Sequence, residues 1–131
     1  MAELFIVLRD IHDWLSRIGL SAALVMVAVA VFIGLIRRGD VTPLFRRATY
    51  AITGLMLVEA LVGAAMYLFV DARPGEQVHL IYGMGAVLAL PFFIFVEVTA
   101  KKRPAMGSYI WGFAILAAII LRSMMTGAVS G

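Results

Sequence analysis

The stretch LSRIGLSAALVMVAVAVFIGLI spans Leu15 to Ile36, and RRGDVTPLFRR follows it from Arg37 to Arg47. An apolar run of that length, closed by arginines, suits a helix crossing about 30 Å of hydrocarbon. Similar runs follow at Ala48–Val70, Val78–Thr99 and Met106–Thr126, with only short charged segments between them. The pattern predicts an all-α integral membrane protein, a four-helix up-down transmembrane bundle in a single domain over residues 1–131.

Composition agrees. The chain is 63% hydrophobic with a mean hydropathy of +1.02, whereas a soluble domain is nearer about 45–50% apolar. The spans leave little sequence for an extramembrane domain, and the loops are too short to form a catalytic cleft. No nucleophile–base pair is legible, so an enzyme acting alone is not expected. The net charge of +3 does not point to nucleic acid. The cations cluster at the ends of apolar runs, where headgroups meet them. With no cysteine, disulfides, thiolate nucleophiles, Fe–S clusters and thiolate zinc sites are excluded. The opening Met1-Ala2-Glu3 lacks a basic region, and Arg9, Asp10, His12 and Asp13 interrupt the early apolar run. The first helix is therefore expected to be retained rather than cleaved as a signal.

The loops carry an orientation. Arg37–Arg47 holds four arginines against one aspartate, and Lys101-Lys102-Arg103-Pro104 is wholly basic. In an up-down bundle these two loops share a side, and the positive-inside rule assigns that side to the cytoplasm. The acidic Asp71–Gln77 loop and both termini then face outward, with a prokaryotic cell membrane as the expected setting. Before the first span, Leu4, Phe5, Val7, Leu8 and Ile11 follow a helical period. They predict a short N-terminal amphipathic segment on the outer surface, continuous with the span or bent away from it. Pro91 is expected to kink span three. The two halves of the chain do not align by eye.

Small residues should mark where helices meet, because lipid tails compete equally with apolar side chains. Each span has such a set: Gly19 and Ala23, Gly54 and Gly63, Gly83 and Ala86, Gly112 and Ala117.

Ionisable groups at membrane depth are costly, and each is a candidate site. Glu59 lies roughly 15 Å below the outer end of span two by helical rise. It is expected to hydrogen-bond a neighbouring helix, or else to couple protons or ions in a small oligomeric transporter or channel. Glu97 precedes Lys101 by four residues, which predicts an interfacial helical ion pair. The chain's two histidines, His12 and His79, fall at one depth on spans one and three, which lie diagonally in a sequentially connected bundle. Two such imidazoles can supply both axial ligands of a b-type haem, and this is the only metal role assigned to them. A histidine at an interface also has a plain explanation, a ring reaching for the headgroups. A bare two-histidine metal site would need Asp10, Asp13 or Glu76 as well. Arg9, Arg17, Arg73 and Arg122 are candidate partners for haem propionates. A quinone pocket asks less: one histidine or Tyr82, one arginine and an apolar slot. The segments His79-Leu80-Ile81-Tyr82-Gly83 and Leu121–Gly127 stand out as motif-like.

Three functions follow as expectations. The first is a membrane electron-transfer subunit holding a haem or quinone near the outer leaflet. The second is a non-catalytic accessory subunit of a larger membrane complex. The third is the Glu59 transporter. Expected partners are the lipid bilayer and a larger complex or a homo-oligomer, and not nucleic acid.

Overall fold

The computed structural model describes residues 2–71, 77–99 and 106–127. Four helices account for nearly all of them: α1 (Ala2–Val31), α2 (Pro43–Phe69), α3 (Val78–Thr99) and α4 (Met106–Gly127). No strand occurs among the described residues. All four are long and apolar enough to cross a membrane. A third of the most apolar window of α4 is buried inside the bundle, and less in the other three. Most of the apolar surface therefore faces outward, the arrangement of a bundle solvated by lipid.

α1 reaches back to Ala2 without a break. The amphipathic segment is thus the continuation of span one, not a separate surface helix. No glycine or proline lies between Glu3 and Ile18 to end the helical period. At its far end α1 passes into a π-helical turn, Phe32–Ile36. Hydrogen bonds from Arg37 N to Phe32 O (2.9 Å) and from Gly39 N to Ile33 O (2.7 Å) close it. Arg38 then adopts φ 52°, turning the chain toward α2. Thr42 caps α2 by accepting from the Phe45 N–H at 3.1 Å. Pro43 fills the first helical position, where a missing N–H costs nothing. α3 continues past Pro91 as one helix.

Buried residues recur at alternating spacings of three and four, the stripe that bundle packing requires. They are Ser16, Gly19, Ala23, Met26 and Ala30 in α1, and Phe45, Thr49, Ile52 and Met56 in α2. In α4, Tyr109, Phe113, Leu116 and Ile120 follow the same rhythm. α1 packs on α2 and α4, and α3 packs on α4 and more lightly on α2. α1 and α3 therefore occupy one diagonal, α2 and α4 the other. Where Gly112 faces α3, an added Cβ would come within 3.0 Å of Phe93, so close approach is built in there. At Gly54 and Gly83 an added Cβ would meet nothing within 4 Å, so these two do not mark interfaces.

Aromatic rings cross each diagonal. At the end of the bundle that holds the α1–α2 turn, Phe45 reaches from α2 to Tyr109 (5.2 Å between centroids) and Phe113 (5.9 Å) on α4. Arg46 there grips Glu97 of α3 with two hydrogen bonds, Nη2 to Oε1 at 2.9 Å and Nη1 to Oε2 at 3.2 Å. Glu97 is thus structural as expected, but its partner is a guanidinium on another helix; Lys101 lies outside the described residues. Two residues on neighbouring helices make a bidentate pair, which a flexible lysine one turn away cannot match.

Candidate functional site

The opposite end of the bundle carries the histidines. His12 extends the buried stripe of α1 by one turn, since 12, 16 and 19 share a face. His79 does the same for α3, one turn above Gly83 and aligned with buried Leu90. The two rings meet across the diagonal with centroids 6.1 Å apart and planes inclined at 76°. They point into the bundle rather than toward headgroups.

Each ring is anchored by a backbone carbonyl. His12 Nδ1 lies 3.1 Å from the Glu59 carbonyl on α2, and His79 Nδ1 lies 2.8 Å from the Ser123 carbonyl on α4. A carbonyl oxygen can only accept, so Nδ1 carries the proton in both rings. Ser123 Oγ (3.2 Å) and Thr126 Oγ1 (3.4 Å) also approach His79 Nδ1. Every hydrogen bond described for the two rings falls on Nδ1. This leaves Nε2 with its lone pair, the tautomer that second-shell carbonyls impose on metal-binding histidines.

The seats of the two rings repeat. Gly63 follows Glu59 by four residues, and Gly127 follows Ser123 by four. A Cβ on Gly63 would come within 3.1 Å of His12 Cε1, and one on Gly127 would overlap the His79 ring. Each imidazole thus lies against a helix backbone bared by glycine, beside the carbonyl that holds it. The halves of the chain that do not align by eye make the same contact twice, once in α1–α2 and once in α3–α4.

Glu59 takes part with its side chain as well. Ser16 Oγ is in hydrogen-bond reach of both Glu59 Oε1 and the His12 carbonyl, the latter at 3.0 Å. The acid is therefore tied to a neighbouring helix, as its depth requires.

A cleft of about 900 Å³ opens beside the rings, within the roughly 300–1,000 Å³ usual for cofactor sites. His12, Ser16, Gly63, Ala64, His79 and Gly83 belong to its wall. Its polar end holds Arg9, paired with Asp10 at 3.3 Å, and Asp13, paired with Arg17 at 3.2 Å. Arg17, Tyr82 and Arg122 do not line the cleft. Arg17 faces outward toward Asp13 with more than half its side chain exposed, Arg122 is exposed, and Tyr82 is half-buried outside the wall. Five residues carry Arg17 roughly 140° around α1 from His12, which explains its absence. No cluster of three or more His, Asp or Glu suited to a bare metal ion occurs among the described residues. His12 and His79 are thus not joined by Asp10 or Asp13 in one; Glu76, like Arg73, lies outside the described residues. A haem needs no third protein ligand, because the macrocycle fills the other four positions.

The two histidines, at one depth on spans one and three, were legible from the sequence. The Glu59 and Ser123 carbonyls, with Gly63 and Gly127, were not. Comparison with protein-family models, with curated proteins and with solved structures finds no match to this chain.

Proposed function

We propose that this chain is a membrane electron-transfer subunit holding one b-type haem between His12 and His79. The observation that carries the reading is the pairing of two carbonyl-anchored imidazoles from diagonal helices, 6.1 Å apart between centroids. Two imidazoles bound on opposite sides of one metal at about 2 Å each have ring centres roughly 6 Å apart. The donor chemistry fits too: both rings keep a free Nε2, and the adjoining cleft is largely apolar.

When bound, haem supplies one-electron exchange at its iron. The residues of the chain do the rest. His12 and His79 would hold the group through Nε2, while the Glu59 and Ser123 carbonyls anchor each ring at Nδ1. Ala64, Gly83 and Val87 form an apolar part of the cleft wall. Arg9, on the wall of the cleft, would pair with a propionate at the polar end. With only two histidines in the chain, a single such site forms. Electrons must come from and pass to other molecules, which favours a place in a larger membrane assembly. In this reading the histidine end faces outward and the Arg37–Arg47 turn faces the cytoplasm.

A quinone is less well supported. Both Nδ1 donors are already engaged by carbonyls, and Tyr82, Arg17 and Arg122 lie off the cleft wall. The engagement of Glu59 with Ser16 gives the transporter reading no separate support.

The test is optical. Purified protein supplied with haemin should develop a Soret band and the sharp reduced α-band of six-coordinate low-spin iron. Protein given ample haemin that develops no Soret band ends this reading.

A further inference from the structure

We infer that the ligand of the cleft enters sideways from the bilayer, between α2 and α3, rather than from water at the end of the bundle. The inference rests on the haem reading for the identity of its occupant, a flat and largely apolar macrocycle.

Three observations support it. First, α2 and α3 make the lightest of the four contacts between neighbouring helices. They are held together at the far end by Arg46 and Glu97, and toward the histidine end residues of both helices line the cleft. Second, the cleft follows that separation. Leu68 on α2 and Met84 and Leu88 on α3 line it, yet each is more than half exposed. A side chain that borders a cavity and also faces lipid stands at a rim. Behind this rim the wall carries small residues: Ala64 on one side, and on the other Gly83, where an added Cβ would meet nothing within 4 Å. Third, the aqueous end is bordered by charge and bulk. The Arg9 guanidinium carbon lies 5.8 Å above the Phe5 ring and its Nη2 pairs with Asp10. An apolar macrocycle arriving from water would have to pass that layer, whereas one dissolved in lipid meets the apolar rim of Leu68, Met84 and Leu88. The ionised edge of such a ligand would trail toward the polar end, where headgroups and Arg9 lie.

The chain contains no cysteine, so single-cysteine labelling is clean. Met84→Cys and Asp10→Cys would each be reconstituted without haem in phosphatidylcholine nanodiscs. Each is then compared, with and without a bulky maleimide, for the rate of Soret growth after haemin addition. The expected result is that the label at Met84 slows uptake at least tenfold more than the label at Asp10. A label at Asp10 that slows uptake as much as the label at Met84, or more, overturns the lateral route. Absence of any Soret growth in the unlabelled wild-type chain defeats the haem reading itself and the route with it. A block selective for Asp10 defeats the route alone.

Discussion

His12 and His79 stand with their ring centroids 6.1 Å apart although their helices make no close backbone contact. The gap between α1 and α3 is bridged by side chains alone, and each ring is held from behind by a helix that is not its own. Each ring is anchored at Nδ1 and keeps Nε2 as an acceptor, as the proposed haem reading requires.

On the proposed haem reading, removing either ring should remove the low-spin centre. His12→Ala and His79→Ala are each expected to abolish the six-coordinate spectrum while leaving helical circular dichroism unchanged. The ring planes cross at 76°. Crossed imidazole planes leave the iron π-orbitals nearly equal in energy, so frozen-solution EPR should give a strongly anisotropic low-spin ferric signal. Three well-separated g values would show instead that the rings turn parallel on binding.

The glycines behind the rings should be unequal. A methyl group at Gly127 overlaps the His79 ring, whereas one at Gly63 stops 3.1 Å from His12 Cε1. Gly127→Ala is expected to weaken haem binding about tenfold, on the order of 1.4 kcal/mol, and Gly63→Ala by distinctly less. Haemin titration followed at the Soret maximum checks the order; equal losses would contradict the seating described for His79.

At the other end, the Arg46–Glu97 pair predicts an asymmetry in stability. Glu97 keeps 3% of its side-chain exposure and Arg46 keeps 33%. Arg46→Met leaves a deeply buried carboxylate without its guanidinium, at a cost of about 3 kcal/mol. Glu97→Gln leaves an arginine that can still reach headgroup water, and should cost clearly less. The double variant should lose less than the sum of the two. Thermal unfolding in detergent measures all three.

Sidedness can be read with thiol reagents. A cysteine at Arg38 should react only after the cytoplasmic face is opened, and one at Glu3 should react in intact cells. The reverse pattern would invert the assignment made from the loops.

The four spans could be read because lipid demands long apolar helices, and a run such as Leu15–Ile36 has no other economical use. The diagonal placement of His12 and His79 could be read because sequential up-down connection leaves spans one and three opposite each other. Other features had no such signal. The start of α1 at Ala2 depends on nothing interrupting a helix, which composition under-reports when charges such as Arg9 and Asp10 are present. The anchoring acceptors are main-chain carbonyls of Glu59 and Ser123, and a carbonyl looks the same at every position of a sequence. Arg17 and Arg122 were at a suitable depth but on the wrong side of their helices. Depth follows from counting residues, whereas azimuth depends on how each helix is rotated in the bundle. Glu97 illustrates the same limit: a partner one turn away in sequence was visible, and the arginine one helix away was not.

The duplicated seat has a consequence for how the molecule holds together. Each hairpin clasps its own imidazole, α1 against α2 and α3 against α4, so neither hairpin alone carries both rings. Whatever joins the two rings staples one half of the protein to the other, and by mass action loading and assembly become a single linked equilibrium.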